Sequence, residues 1–380
     1  MRIMYVVNSF GAGGAERHML VLVNYMVRSG HTVMAIALSG QTAGGARNLT
    51  EEFRNAGATI AILDDVIPGK KHVRGHLFKL VSLIRSWRPD IVHSHLARSD
   101  FAVSIGKLLM PKIVWVSTIH DAYVKGVYPG YWIFPWLGWN WRRANHVVAV
   151  SGHARDWALR RFGLLESQIS TIYHGIKSVP ADCVKTADVQ NRQPFLVGCL
   201  ARFEPRKGMA TLIRAMVFVR QKVPMVKLVL AGSDPYGYAK ELKKLADELD
   251  VGSVVDIQGF CDTPMAFLGQ LNVFAFASVS EGFGIVLLEA MTLGIPVVAS
   301  DIYPINHIVL ADHTGLLVPP DKPEAFSAAI ISLFESPERA QVMGEAGRSR
   351  CSEEFSEEKM TRSVHRLYLD QVSRKSQIHQ

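Results

Sequence analysis

The sequence predicts an α/β protein built from two Rossmann-like domains facing a cleft. Short β-branched runs alternate with longer amphipathic stretches, the pattern of βαβ units forming parallel sheets. That pattern runs twice, and a polar stretch with two prolines, GIKSVPADCVKTADVQNRQP, separates the two passes. At 380 residues the chain is also long for a single core, given roughly 150 residues per domain.

In the first pass, residues 3–8, 32–38, 59–63, 91–93, 113–118 and 146–150 read as strands, each a short apolar run bounded by turn-forming residues. Apolar positions three and four apart predict helices over 15–28, 76–87 and 100–109. The second pass predicts strands at 195–200, 227–231, 254–258, 273–276 and 296–299, alternating with helices at 208–220, 238–249, 285–292 and 323–334. No residue-level repeat relates the two passes. The expected organisation is a first domain at 1–178, a linker at 179–194 and a second domain at 195–356.

Hydrophobic residues make up 48% of the chain and charged residues 20%, and no low-complexity tract interrupts it, which excludes a largely disordered protein. The net charge of +8 is uneven: residues 1–180 carry 21 Lys and Arg against 10 Asp and Glu, and residues 181–380 carry 21 against 24. Two readings of the basic half stand, a surface facing something anionic or a solvated surface kept soluble by its charge. Cys183, Cys199, Cys261 and Cys351 form no C-x-x-C pair, so they read as buried thiols in a reducing compartment. No stretch reaches the roughly 18 apolar residues of a membrane span. The expected location is cytoplasmic, with peripheral contact at the inner face of the membrane.

In open parallel sheets a ligand sits outside the carboxyl ends of the strands, so the loops there are the ones to inspect. Asn8-Ser-Phe-Gly-Ala-Gly-Gly-Ala-Glu-Arg17 follows the first strand, and its glycines let backbone approach a phosphate at a helix start. Gly11, Gly13 and Gly14 lack the G-x-G-x-x-G spacing, and the next strand ends in Leu38-Ser39-Gly40 with no acid, which argues against a nicotinamide dinucleotide. Arg202-Phe-Glu-Pro-Arg-Lys207-Gly208 places cations at a helix start, where they oppose the helix dipole unless an anion is present. A leaving diphosphate is such an anion.

Ser280-Glu281-Gly-Phe-Gly-Ile-Val-Leu-Leu-Glu289 is a glycine-rich turn opening a helix. Glu281, ahead of that helix, is placed to accept hydrogen bonds from sugar hydroxyls. Glu289, expected two turns in, is placed to reach a ribose. The amides of Gly282, Phe283, Gly284 and Ile285 can hold a phosphate. The D-x-D carboxylate pair is missing, as is any metal-ligand spacing, so neither a metal nor another cofactor is expected.

Taken together, the GGAER loop, His120 in STIHD, ARFEPRKG, EGFGIVLLEA and GLLVPPD at 315–321 resemble glycosyltransferase family 4, retaining enzymes of the GT-B fold. The resemblance covers nearly the whole chain. It implies that Gly13 and Gly14 approach a donor diphosphate, that Arg202 and Lys207 bind it, that Glu281 contacts the sugar and Glu289 the ribose, and that Gly232 lines the same cleft. It also implies that His120 reaches the transferred sugar and that a final helix, 357–380, returns to the first domain. His95 is a weaker candidate for the acceptor side, since a histidine at a strand end is often a satisfied structural residue.

Two departures from the family pattern fall near the hinge: Tyr173-His-Gly-Ile-Lys177 stands where Asn-Gly and a following Asp are usual, and Ala201 stands for a common Gly. The implied activity is transfer of a sugar from a nucleotide-diphosphate donor, UDP-sugar before GDP-mannose, to a lipid-linked or lipopolysaccharide-type saccharide. A nucleotide-sugar epimerase on the same fold and a basic nucleic-acid-binding protein are the alternatives; the aromatic residues are not interleaved with cations as the latter requires. Two further features suit a membrane surface: Lys70, Lys71 and Arg74, and the segment Tyr128–Arg143, which holds four of the seven tryptophans. Its other reading is an aromatic core helix.

Overall fold

A computed structural model of the protein describes residues 1–41, 47–63, 73–121, 134–179, 193–223 and 225–377. Lys70, Lys71, the Arg74 side chain, residues 128–133, Cys183 and most of the expected linker lie outside the described residues. The chain divides into two compact units, Met1–His174 with Glu358–Gln380, and Gly175–Glu357.

The first unit is a seven-stranded sheet of β1 (Arg2–Val7), β2 (Thr32–Ala37), β3 (Thr59–Ile62), β4 (Ile91–His95), β5 (Val114–Ile119), β6 (His146–Ala149) and β7 (Ile169–Thr171), in the order β3-β2-β1-β4-β5-β6-β7. Every neighbouring pair is parallel. The helices α1 (Gly14–Arg28), α2 (Thr50–Asn55), α3 (Val73–Trp87), α4 (Ala97–Leu109), α5 (Phe134–Trp141) and α6 (Gly152–Phe162) connect them. Strands covered on both faces must be apolar throughout rather than alternating, and Ile3 to Val7 are all fully buried.

Alternate residues of β1 nonetheless enter two different cores. Met4 and Val6 join Leu80, Trp115, Trp141 and Phe162, whereas Ile3, Tyr5 and Val7 join Met19, Leu22 and Phe53. The second of these cores also takes Met360, Val364 and Tyr368 from the final helix, Glu357–Gln377. That helix is thereby a layer of the first unit. Tyr368 supplies more than area: its hydroxyl donates to Tyr5 Oη at 3.1 Å and meets His93 Nδ1 at 2.5 Å.

The second unit is a six-stranded parallel sheet of β8 (Phe195–Leu200), β9 (Val226–Ala231), β10 (Val255–Ile257), β11 (Val273–Phe276), β12 (Val297–Ser300) and β13 (Gly315–Val318), ordered β10-β9-β8-β11-β12-β13. Its helices are α7 (Met209–Lys222), α8 (Tyr238–Glu248), α9 (Pro264–Leu268), α10 (Ile285–Thr292), α11 (Ile305–Ile308), α12 (Pro323–Glu335) and α13 (Pro337–Glu354), so the returning helix is α14. Residues 175–179 belong to this unit, where Ile176 N donates to Phe355 O at 2.8 Å and Glu357 N to Ile176 O at 3.0 Å.

Several elements carry little sequence signal. The strand β7 is only three residues long. The helix α13 spans PERAQVMGEAGRSRCSEE, whose two glycines and scattered apolar residues hide its period. Packing decides instead: a Cβ at Gly344 would lie 1.9 Å from Gly294 O, so only glycine allows that approach. The aromatic segment divides. Trp141 is core, edge-on to Trp157 and Phe162, while Trp139 is 45% exposed with the Arg143 guanidinium 3.1 Å over its ring. Cys199 and Cys351 are buried, and burial pushes both thiols up to about 12; Cys261 is partly exposed, which corrects the expectation of four buried thiols.

All seven tryptophans lie before His174, so tryptophan fluorescence reports on the first unit alone. Tyr368→Ala lowers the stability read in this way by about 3–5 kcal/mol in urea unfolding, the range for deleting a large buried ring. Tyr368→Phe costs about 1–3 kcal/mol, because His93 Nδ1 is left buried and unpaired. An unchanged midpoint for both would show that α14 is not part of the unit.

Candidate active site

Strand order reverses between β1 and β4 in the first unit and between β8 and β11 in the second. Connections leave in opposite directions at such a point, and a crevice opens outside the carboxyl ends of the two strands. In the second unit the segments there are 201–208, which follows β8, and 277–284, which follows β11. The segment after β9 adjoins them, since a Cβ on Gly232 would lie 1.8 Å from Ala201 O. Gly232 also has φ of +148°, so glycine is required there twice over. In the next turn of the same segment, Asp234 caps α8, accepting from Tyr238 N at 2.7 Å and Ala239 N at 3.1 Å.

Charged groups fasten these segments together. Lys207 Nζ lies 2.5 Å from Glu281 Oε1, and both side chains are about nine-tenths buried, at 11% and 8% exposure. Such a pair holds only while both partners remain, because removing one leaves a buried charge uncompensated. Glu204 receives Arg202 at 2.8 Å on one oxygen and Arg206 at 2.7 Å on the other. Burial disfavours the Glu204 carboxylate, but the Arg202 and Arg206 guanidiniums outweigh it and hold its carboxyl below the usual range. Arg206 crosses further to Ser280 O at 3.1 Å, and Ser278 Oγ returns to Arg206 O at 3.1 Å. Arg202 is the outer cation, with half its side chain exposed.

The Phe283 side chain is 3% exposed and packs against Phe355 at 6.0 Å, so it belongs to the core and only the backbone amide is left for the expected donor contact. The turn into α10 differs from expectation in one respect. Glu289 lies just over one turn into the helix rather than two, because α10 begins at Ile285. Gly284 is the N-cap residue at φ +98°, and Ile285 and Val286 stand in the first turn, whose amides precede the helix's own bonding. Farther along the chain, Asp321 of the GLLVPPD segment meets Thr211 of α7 at 3.3 Å.

In the first unit the loop after β1 carries Gly13 as the N-cap of α1 and Gly14 as its first residue. Asn8 Oδ1 accepts from Ser99 N at 3.2 Å, tying this loop to the start of α4. Beyond it five histidines converge. His18 comes from α1, His93 and His95 from β4, His120 from the end of β5 and His174 from beyond β7. His95 Nδ1 is 3.0 Å from His120 Nε2, and His174 Nδ1 is 2.9 Å from His18 Nδ1. His93 Nε2 lies 2.7 Å from Thr118 Oγ1. The rings of His93 and His95 are 4.2 Å apart, and those of His120 and His174 stack at 5.5 Å.

His120 is the one residue of the five that is not buried overall; His93 and His95 are fully buried, and His18 and His174 are 4% and 3% exposed. His95, expected on the acceptor side, is therefore an interior residue. Among the described residues no group of His, Cys, Asp and Glu is arranged to hold a metal ion. His93 and His95 share one face of β4 by strand periodicity, a signal present in the sequence as H-x-H. Glu204 and Arg206 likewise follow from the alternating charges of R-x-E-x-R-K. The part of His18 depends on contacts across the whole unit and leaves no local mark, and that of His174 shows only as a departure from the family pattern.

Burial lowers the His18 pKa to about 3, and burial together with the neighbouring rings takes His93, His95, His120 and His174 well below 6.5. In the unfolded chain these groups titrate near 6.5. Below that pH the unfolded state takes up protons that the folded state refuses, so the stability present above pH 6.5 is lost as pH falls. Each refused proton costs about 1.4 kcal/mol per pH unit. Asp100, raised to about 6 by burial, works in the opposite sense but is one group against five. Tryptophan-monitored urea unfolding at pH 7.5 and 5.5 is therefore expected to show several kcal/mol lost at the lower pH, and equal stability would mean that the cluster carries charge in the fold.

Two family models match the chain: Glycosyltransferase Family 4 over residues 12–178 and Glycosyl transferases group 1 over 185–350. The α-maltose-1-phosphate synthase of Mycolicibacterium smegmatis is 30% identical over 70% of this chain and 75% of its own length. The phosphatidyl-myo-inositol mannosyltransferase of Mycobacterium tuberculosis is 28% identical over 84% and 82%. The crystal structure of Anabaena HepE in complex with UDP-glucose superposes with a TM-score of 0.84 at 19% identity, covering 97% of this chain and 100% of that one, which establishes the two-domain GT-B fold. The chain belongs to glycosyltransferase family 4 and is a glycosyltransferase that draws its sugar from a nucleotide-sugar donor.

Proposed function

We propose that the enzyme transfers a hexose with retention of anomeric configuration, without a metal, from a UDP-sugar or, second, GDP-mannose, to a hydroxyl of a lipid-linked or polysaccharide-type acceptor. The buried Lys207–Glu281 pair beside the β8/β11 reversal carries this reading. An ammonium offers three donors, and Glu281 takes one of them, leaving Lys207 able to reach a phosphate oxygen as well. Arg202 supplies the second cation from a more exposed position. The first-turn amides of α10 add uncharged donors at the positive end of a helix.

With cations on the diphosphate, the bond from the anomeric carbon to the phosphate oxygen can break while the acceptor oxygen bonds to the same face. The acceptor's proton passes to the departing phosphate oxygen. No protein base is needed, and Glu281 and His120 orient the sugar through its hydroxyls. The UDP-glucose held by HepE supports a uridine donor, and the mannosyltransferase relative supports mannose as the sugar of the second choice.

Glu281→Gln keeps a hydrogen bond to Lys207 but loses charge, so turnover falls by about 10- to 100-fold while nucleoside-diphosphate affinity does not fall, since Lys207 is left with its charge for the phosphate. Arg202→Ala weakens product inhibition by the nucleoside diphosphate as well as the rate. EDTA leaves both intact. Near-wild-type turnover of Glu281→Gln on UDP-glucose and GDP-mannose, or full loss in EDTA restored by Mg²⁺ or Mn²⁺, would overturn the corresponding assignment.

The lipid side of this reading has its own support. Phe78 is 75% exposed, and Phe101, Leu108, Leu109 and Trp139 lie between 44% and 55%; they fall on α3, α4 and α5, which pack side by side. Exposed apolar residues on adjoining helices, with Arg98, Lys112 and Arg142 also exposed, suit an anionic headgroup surface. No helix among the described residues is long and apolar enough to cross a membrane. In co-sedimentation the protein binds vesicles containing phosphatidylserine more than neutral ones and loses binding at high salt. Phe101→Ser together with Lys112→Ser weakens that binding; equal recovery with both vesicle types would remove the membrane from the proposal.

A further inference from the structure

The histidine cluster has a direction. His95 is completely buried, its Nδ1 faces His120 Nε2 at 3.0 Å, and its Nε2 is buried with no hydrogen-bond partner. A neutral imidazole carries one proton, so two arrangements are open to this pair. If His120 Nε2 held the proton, His95 would have to keep its own on Nε2, leaving an N–H donor stranded in the interior. Orphaned buried N–H groups are the rarer defect, and an unpaired lone pair is the milder one. The proton therefore lies on His95 Nδ1 and is donated to His120 Nε2. His120, in turn, carries its proton on Nδ1, which has no partner among the described residues, on the one residue of the cluster that is not buried overall.

We propose that His95 is a positioning residue that locks His120 in the Nδ1–H tautomer, so that His120 meets its ligand as a neutral hydrogen-bond donor to a sugar oxygen and not as a base. This rests on the reading that His120 contacts the transferred sugar. Burial keeps both rings uncharged at neutral pH, so the donor persists without a competing charge. The rings around them restrict rotation: His93 lies 4.2 Å from His95, and His18 stands edge-on to both His95 at 5.7 Å and His120 at 5.4 Å.

Two measurements on the full-length protein test it. In long-range ¹H–¹⁵N correlation spectra of histidine-labelled enzyme, wild-type His120, assigned by its loss in His120→Ala, shows the Nδ1–H pattern; an Nε2–H pattern would overturn the proposal. In kinetics with UDP-glucose or GDP-mannose, whichever is turned over, His95→Leu lowers kcat by about ten-fold with donor KM nearly unchanged, as for loss of one oriented hydrogen bond. His95→Asn, whose amide places an N–H near the position of Nδ1, restores most of the rate and the Nδ1–H pattern. Equal loss in both variants, with wild-type-like spectra for His120, would reduce His95 to a packing residue. The two readings fail separately: an Nδ1–H pattern in the wild type with undiminished turnover by His120→Ala keeps the lock and removes the sugar contact.

Discussion

The reversal of strand order organises each unit. A parallel strand needs a crossover to reach the next, and at β1/β4 and at β8/β11 those crossovers depart to opposite sides. The carboxyl ends there are left uncovered by helices, and backbone amides and side chains from loops distant in sequence come within reach of one another. Gly13 and Gly14 stand at the start of α1 after β1, Gly208 and Gly284 lie in the loops after β8 and β11, and Gly232 lies in the adjoining loop after β9. At Gly208 the constraint is physical: φ is +67°, and a Cβ would lie 2.0 Å from Ala277 O, which joins the loop after β8 to the end of β11.

Two electrostatic solutions occupy the two reversals. The second unit buries charge and balances it: Lys207 on Glu281, and Glu204 between Arg202 and Arg206. The first unit buries polar rings and leaves them neutral, each histidine bonded to a hydroxyl or another ring. The first arrangement stays firm only while its charges stay paired, and it can exchange one partner for an arriving anion without leaving a bare ion. The second has no charge to offer. Its cost is paid in proton affinity, which is why the cluster lies well below the normal histidine range.

What could be read from the chain divides along the range of the interactions responsible. A strand such as VFAF declares itself because burial on both faces demands an unbroken apolar run, and a glycine in a strand-to-helix turn declares itself through its permitted backbone. Lys207 and Glu281 could be singled out for the same local reasons, each next to a glycine-rich turn. Their pairing could not, since 74 residues separate them. At Phe283 the ligand-like turn is legible for the amide, while the burial of the side chain against Phe355 is not. His95 misled: its place at a strand end suggested exposure, yet α1 and the loops after β5 and β7 enclose it, and nothing near position 95 records their arrival.

The contrast in charge also bears on how one enzyme can tell two kinds of oxygen apart. A diphosphate carries formal charge and is drawn to ammonium and guanidinium groups by interactions roughly twice as strong as neutral hydrogen bonds. A sugar hydroxyl carries none and gains little from a cation that must first shed its water. A protonated His120 would attract phosphate as readily as Lys207 does, and the sugar end of a donor would lose its distinction from the phosphate end. On the proposed reading, held neutral with its proton fixed on one nitrogen by His95, the same side chain favours a hydroxyl or ether oxygen at a defined angle. On this argument the departure of His174 from the family's usual Asn is not a loss of polarity: its Nδ1 meets His18 and its ring stacks on His120, so it closes the apolar side of a group whose usefulness depends on staying uncharged.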